Sequence, residues 1–125
     1  MTPVSSTRGN PSASSETGLY ARIVEDVRDA ALTTAEVAQI AGVDERQVYN
    51  WAAGTSRPKG ANRDRLLEIH YIVQALKDVY TREGTDIWIH ARNRSLSGQR
   101  PIDLLIDGEF QPVLLAVERL RTGAM

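Results

Sequence analysis

The chain has 125 residues and no cysteine, which suits one small domain, or two that share a core, and excludes a disulfide framework. Two histidines, His70 and His90, are too few for a structural zinc site. The net charge of −1 gives no overall attraction to nucleic acid or membrane, so a nucleic-acid partner has to be held by a local basic patch.

Residues 1–17 are rich in serine, threonine, proline and glycine and contain no apolar stretch, which predicts a disordered tail. Nowhere does the chain offer the apolar core of a signal peptide, or the roughly 20 apolar residues that a spanning helix needs. These absences predict a cytoplasmic protein without a membrane partner.

A first amphipathic helix is predicted from Gly18 to Ala31, because Leu19, Ile23 and Val27 recur at four-residue steps beside charged residues. A long central helix is predicted from Asn62 to Tyr80, with Asn62 as its N-cap. No segment alternates with period two for long enough to form a strand ladder. The sequence therefore predicts an all-α helical bundle.

Two short helices are predicted between these elements, from Thr34 to Ala41 and from Asp44 to Ala53. Thr33 or Thr34 can cap the first helix, and Asp44 caps the second. Gly42 supplies the positive φ of the turn between them. The pair resembles the helix-turn-helix of the Xre/Cro-like family, which it matches in spacing at Ala38, Gly42, Val43, Val48 and Trp51.

The exposed side of the second short helix carries Arg46, Gln47 and Asn50, whose side chains can pair with base edges in the major groove. The loop that follows adds Arg57, Lys59, Arg63 and Arg65 as a local basic patch. Asp44 and Glu45 lie near the same surface and repel phosphate, so a purely structural helix pair stays open as an alternative. The predicted DNA-binding residues are Thr34, Arg46, Gln47, Tyr49, Asn50, Arg57, Lys59 and Arg63.

The last part of the chain is predicted to form a helical hairpin. Pro101 suits the first turn of a short helix, Gly108 lets the chain reverse, and Gly123 ends the last helix near Thr122. The last helix has an apolar face of Phe110, Val113, Leu114, Val117 and Leu120. That face predicts either a partner surface, such as a dimer interface, or internal core.

This region resembles the toxin-binding domain of the Xre/MbcA/ParS antitoxins, in their MbcA-like branch. The matching residues are Trp88, Asn93, Leu96, Gly98, Pro101, Asp107, Gly108, Glu109 and Phe110. The resemblance covers the chain from about Leu32 to its end. It departs from the family at Ala91-Arg92-Asn93, where an aromatic-Pro-Asn sequence is frequent.

After the tail predicted from composition (residues 1–17), the chain is expected to form a helix-turn-helix domain with the central helix (18–81) and, as the resemblance implies, a helical toxin-binding domain (82–125). The resemblance implies an antitoxin that binds and inhibits a RES-domain toxin, which degrades NAD, and that binds operator DNA to repress its own operon. It also implies a homodimer that enters a higher-order complex with the toxin. The implied toxin-binding residues are Trp88, Arg92, Asn93, Leu96, Arg119, Arg121, Thr122, Gly123, Ala124 and Met125.

Catalysis is not expected, because neither His70 nor His90 is accompanied by a nucleophile motif, a phosphate-binding glycine loop or metal-ligand spacing. No cofactor is expected either. Two other functions stay open: a stand-alone transcriptional regulator whose hairpin serves only dimerisation, and a protein-binding module that has lost contact with DNA.

Overall fold

The computed structural model describes residues 11–123, with side chains described from residue 16 onward. The α-helices are α1 (Pro11–Ala30), α2 (Thr34–Ala41), α3 (Glu45–Ala53), α4 (Gly60–Lys77), α5 (Arg82–His90), α6 (Pro101–Ile106) and α7 (Phe110–Thr122). One turn of 3₁₀ helix, Arg94–Leu96, lies between α5 and α6. Within residues 11–123 the only β pairing is an isolated bridge between Asn93 and Gln99, so the predicted all-α class is confirmed.

The predicted boundaries of α2 are confirmed, and α3 begins at Glu45, one residue after its predicted start, because Asp44 is its cap. Local side chains set the starts of both helices. The Thr33 hydroxyl accepts a hydrogen bond from Glu36 N at 3.1 Å, and the Glu36 carboxylate accepts one from Thr33 N at 3.0 Å. Asp44 caps α3 by accepting a hydrogen bond from Gln47 N at 3.1 Å. Gly42 ends α2 in the left-handed conformation, with φ of +81°.

The first helix is longer than predicted. It begins at Pro11 instead of Gly18, so residues 11–17 of the predicted disordered tail are helical. Proline is well suited to the first position of a helix, and Glu16 forms an ion pair with Arg57 in the loop after α3. Residues 1–10 lie outside the described residues. Composition alone therefore placed the start of this helix too late.

The central helix, α4, is displaced toward the N-terminus, since it spans Gly60–Lys77 and not Asn62 to Tyr80. Asn62 does not cap it. Its amide nitrogen instead donates a hydrogen bond of 2.7 Å to the carbonyl oxygen of Ala41, at the end of α2. The predicted cap is therefore a tertiary contact that closes the end of a neighbouring helix.

One continuous cluster of buried side chains runs through both halves of the protein. It includes Val27 of α1, Trp51 of α3, Ile69 of α4, Ile102 of α6 and Val117 of α7. α4 lies at its centre, because it packs against α1, α2, α5 and α7. The regions predicted as two domains, 18–81 and 82–125, thus share one core.

The C-terminal hairpin forms as predicted, but its apolar face is not left open. Pro101 begins α6, and Gly108, with φ of +83°, reverses the chain into α7. Val113 and Val117 are buried because α4, α6 and the 3₁₀ turn pack against α7. Partly buried side chains complete this face: Phe110, Leu114 and Leu120. The buried part of this face is therefore internal core of the single protomer, and a partner role for its partly exposed residues stays a prediction.

Arg65 connects the helix pair to the hairpin. From α4 its guanidinium donates a hydrogen bond of 3.3 Å to the carbonyl oxygen of Ile40, near the end of α2. The same guanidinium lies against Gly108, where an added Cβ would overlap its Nη2 atom. The expectation that Arg65 belongs to the surface basic patch is therefore wrong, because the side chain is turned inward between the two halves.

We expect Gly108→Ala to lower the free energy of unfolding by about 2–3 kcal/mol, since left-handed backbone costs alanine about 1–2 kcal/mol and Arg65 has to give up a hydrogen bond worth about 1 kcal/mol. Gly98→Ala is the matched control, because Gly98 has φ of +79° but nothing within 4 Å of an added Cβ. Urea unfolding of both variants measures the difference. Equal losses would show that Arg65 adjusts without cost.

Candidate functional site

The outer side of α3 forms the surface that the sequence assigns to base reading. Arg46, Gln47 and Tyr49 are exposed there, and Asn50 is partly buried. Arg28 of α1 lies over the Tyr49 ring, with 5.9 Å between the guanidinium carbon and the ring centroid, a cation–π distance. The structure thus adds Arg28 to this surface, which no local sequence pattern indicates because α1 and α3 meet only on folding.

The predicted basic patch also comes together. Arg57, Lys59 and Arg63 line a cleft of about 170 Å³ that Tyr20 and Glu16 of α1 complete. Glu16 is paired with Arg57, which partly neutralises the patch. Both side chains of that pair are about half exposed, so the pair contributes little and can be exchanged for a phosphate contact.

Thr34 lies at a different cleft from the basic patch. It is partly buried at the start of α2, beside a cleft of about 450 Å³ whose charged residues are Glu25, Arg28, Asp29 and Arg82. The two acids offset the two bases. Thr34 therefore shares Arg28 with the α3 surface, but its surroundings carry no excess of positive charge.

An apolar groove of about 260 Å³ runs along α5 and brings together three of the predicted toxin-binding residues: Trp88, Arg92 and Asn93. Its walls are completed by Tyr80, Gly84, Ile87 and Ala91. Ile87 is 63% exposed, whereas Trp88 packs partly against the core. An exposed aliphatic side chain beside a tryptophan is a surface that suits an apolar side chain of a partner protein.

The loop beside this groove is stiffened by its own side chains. The Asn93 carboxamide oxygen accepts hydrogen bonds from Ser95 N at 2.9 Å and Ser95 Oγ at 2.7 Å. Arg92 donates a hydrogen bond of 3.1 Å to the carbonyl oxygen of Gly98. Leu96 is only 6% exposed and belongs to the core. Leu96 therefore supports the loop from beneath in the free protein, and its contact with the toxin stays a prediction.

The other predicted toxin-binding residues lie at the end of α7, where Arg119, Arg121, Thr122 and Gly123 are exposed. Gly123 caps the helix, as predicted. Arg121 faces α4, with its Nη2 atom 3.6 Å from a carboxylate oxygen of Asp78. Ala124 and Met125, also expected to touch the toxin, lie outside the described residues.

A second exposed apolar surface lies on the neighbouring helices α4 and α7. Leu67, Tyr71 and Leu115 are 39%, 45% and 56% exposed. Tyr71 is held in place because its hydroxyl donates a hydrogen bond of 3.0 Å to Glu118. Within the described residues this surface is therefore, like the groove, an apolar area that one protomer leaves exposed.

Both histidines hold helices together. His70 Nε2 lies 3.3 Å from an Asp26 carboxylate oxygen and so links α4 to α1. His90 Nε2 lies 2.9 Å from Glu36, while its Nδ1 lies 2.9 Å from the Asp86 carbonyl oxygen. Glu36 is the residue that caps α2. His90 therefore joins α5, which carries the groove, to the first helix of the pair.

Burial of the imidazole lowers the pKa of His90, but the hydrogen bonds to the Asp86 carbonyl and to Glu36, with the charges of both carboxylates, outweigh burial and raise it above its ordinary value of 6.5. Because this pKa is higher in the folded than in the unfolded protein, the protonated histidine stabilises the fold fully at pH values below the unfolded-state pKa. That stabilisation is lost as pH rises through the folded pKa.

His90→Gln is therefore expected to be less stable than the unmodified protein at about pH 6, with a gap that shrinks as the pH rises well above the folded pKa. Denaturant unfolding at several pH values measures this gap. Glu36→Gln, which keeps an oxygen for the α2 cap but removes the charge, is expected to reduce the pH dependence. A stability difference between His90→Gln and the unmodified protein that stays constant or grows with pH would contradict a raised pKa of His90.

Within residues 11–123, no three side chains of metal-binding type come close enough together to hold an ion. No helix in the same range has the length and apolar character that crossing a membrane requires.

The chain is similar to mycobacterial cidal antitoxins. It is 37% identical over 92 residues to mycobacterial cidal antitoxin MbcA of Mycobacterium bovis and of Mycobacterium tuberculosis, a match that covers 74% of this chain and 81% of the relative. Its structure is similar to a chain in the crystal structure of the M. tuberculosis MbcT–MbcA toxin–antitoxin complex, with a TM-score of 0.73 and 34% identity over 84% of this chain and 96% of that one. No protein-family model matches the chain.

Proposed function

Because this chain belongs to the MbcA family of mycobacterial cidal antitoxins, we propose that it binds and inhibits a RES-domain toxin that degrades NAD. The observation that supports this most strongly is the apolar groove beside Trp88. It combines an exposed Ile87 with a partly buried tryptophan, in the region that resembles the toxin-binding domain. Partly exposed aromatic residues framed by charged side chains are the usual anchors of protein interfaces.

The groove would anchor the toxin while the end of the chain blocks it. In this proposal Arg119, Gly123 and the final residues Ala124 and Met125 occupy the entrance of the toxin's NAD pocket. Inhibition then needs no chemistry from the antitoxin, since an occupied entrance keeps substrate out. Arg92 and Asn93 contribute by holding the loop that borders the groove.

We also propose that the protein binds operator DNA and represses its own operon. The observation that favours this second activity is the α3 surface, where Arg46 and Gln47 are exposed beside Tyr49 and Arg28. Arg46 and Gln47 would contact base edges, while Arg57 and Lys59 would contact phosphates. Asp44 and Glu45 at the start of α3 oppose phosphate binding, and so weigh toward a module that binds protein alone.

A cytoplasmic homodimer that joins a larger complex with the toxin completes the proposal. The surface formed by Leu67, Tyr71 and Leu115 is the area of this protomer that best suits contact with a second copy. A stand-alone regulator would use the same surface for dimerisation but would have no use for the groove. Binding at the groove therefore separates the two functions.

The test is an assay of NAD consumption by the RES-domain protein expected to be encoded beside this chain's own gene. Adding the chain in equal amount is expected to stop NAD loss and to give a co-purifying complex. Continued NAD loss without a complex would reject the antitoxin function. Binding of the upstream DNA fragment in the same preparation would then favour the stand-alone regulator.

A further inference from the structure

Arg121 is one of the residues that the resemblance assigns to toxin contact, but the structure engages it inside the molecule. Its Nη1 atom lies 3.4 Å from both the Tyr71 hydroxyl and the Glu118 carboxylate, and its Nη2 atom lies 3.6 Å from Asp78. Arg121 is 37% exposed and has three polar partners within its own chain. In the free protein, the guanidinium of Arg121 therefore makes its polar contacts within its own chain.

Asp78 makes this arrangement relevant to the groove. It is the C-cap of α4 and lies in the short turn that leads to Tyr80, which forms part of the groove wall. Arg121 lies in the last turn of α7, two residues before the Gly123 cap. The ion pair between Asp78 and Arg121 therefore ties the end of α7 to the turn that carries one wall of the groove.

We propose that Arg121 is a positioning residue that fixes the end of α7 relative to the Trp88 groove, so that the two predicted toxin-binding surfaces act as one composite surface. Preorganisation of this kind improves affinity because less conformational freedom is lost when the partner binds. Arg119, at the same helix end, would then supply the charge that meets the toxin directly. The inference rests on the proposed function, because it concerns the same surface.

The test compares toxin dissociation constants of five variants of the full chain: Arg121→Ala, Asp78→Asn, their double variant, the charge swap Asp78→Arg with Arg121→Asp, and Arg119→Ala. Because exposed ion pairs contribute little, Arg121→Ala and Asp78→Asn are each expected to weaken binding about 5-fold. The double variant is expected to be no weaker than Arg121→Ala, because Asp78 has already lost its partner in that single variant. The charge swap is expected to recover part of the affinity lost in Arg121→Ala, and not all of it, because the aspartate at position 121 also faces Glu118.

The charge swap separates positioning from direct contact, because a toxin acid that meets Arg121 would be repelled by the aspartate. Arg119→Ala is expected to slow association in a salt-dependent way, whereas Arg121→Ala is expected to speed dissociation. Circular dichroism and thermal unfolding of each variant show that the fold is intact. If Arg121 only stabilises the fold, Arg121→Ala lowers the unfolding temperature but does not selectively speed dissociation of the toxin.

The outcomes are distinct. An unmodified chain that does not bind the toxin rejects the proposed function, and this inference with it. If the unmodified chain binds but Asp78→Asn binds equally well, the positioning role is rejected alone. If Arg121→Ala slows association in the salt-dependent way expected of Arg119→Ala and does not speed dissociation, the inference is overturned and Arg121 is assigned to direct toxin contact.

Discussion

Replacing Ile87 with glutamate is expected to weaken toxin binding by about 30-fold or more, since the loss of an interface anchor costs at least about 2 kcal/mol. The side chain is 63% exposed in the free protein, so the substitution is expected to leave the fold intact. In the complex, however, the new carboxylate would be buried in an apolar groove without a partner. Isothermal titration with the toxin measures the loss.

Leu115→Glu is the matched control for Ile87→Glu. Leu115 is 56% exposed and lies on α7, on the surface shared with Leu67 and Tyr71 and away from the groove. We expect this variant to keep its toxin affinity per protomer and to be less prone to self-association. Equal losses of toxin affinity in the two variants would show that the groove is not the anchoring site.

Arg46→Ala is expected to cost about 1–3 kcal/mol of operator affinity and to relax specificity at the base pair that Arg46 reads. The reason is geometric, because an arginine on the outer side of a recognition helix can make two parallel hydrogen bonds to guanine. Fluorescence anisotropy with the operator, and with operators altered one base pair at a time, measures both effects.

Lys59→Ala serves as the comparison, because Lys59 belongs to the basic patch outside α3. Lys59→Ala is expected to weaken binding to all DNA sequences alike. It is also expected to reduce, by about 1, the steepness with which the logarithm of the affinity falls with the logarithm of the salt concentration. Losses of equal size for every sequence in both variants would reject base reading by Arg46. If the unmodified chain, with or without toxin, binds no DNA, the helix pair serves only the fold.

The parts of the structure that the sequence predicts best are those governed by residues three or four positions apart. Thr33 with Glu36, and Asp44 with Gln47, satisfy the free backbone groups at the starts of α2 and α3. Gly42 ends α2 for a reason that is equally local. Cap chemistry needs no knowledge of the rest of the fold, which explains why these boundaries were predicted correctly.

The errors involve side chains whose partners are distant in sequence. Asparagine is a common helix cap, yet Asn62 donates a hydrogen bond to the carbonyl oxygen of Ala41. Arginine is usually a surface residue, yet Arg65 donates a hydrogen bond to the carbonyl oxygen of Ile40. Glu16 lies in a segment of disordered composition, yet it pairs with Arg57. Local patterns carry no information about these partners, because the contacts exist only after the helices have packed.

The groove was predicted only in part for a related reason. The family resemblance indicates Trp88, Arg92 and Asn93 but neither Ile87 nor Tyr80, which also line the groove. Helical spacing gives a signal for Ile87, because Thr85 and Ile89 occupy the buried side of α5 and leave Ile87 outside it. Tyr80 could not be assigned in this way, because the sequence predicts it as the last residue of the central helix, whereas α4 ends at Lys77.

The attachments of α2 limit how this protein can change during evolution. Its first turn is bonded through Glu36 to His90, and its last carbonyl groups are bonded to Asn62 and Arg65, with Arg65 resting on Gly108. A recombination event that exchanged residues 82–125 with those of another antitoxin would separate Glu36 and Arg65 from the residues that fit them. If the groove binds the toxin as proposed, a new toxin specificity is therefore more accessible through point substitutions along the groove than through the transfer of a whole C-terminal module.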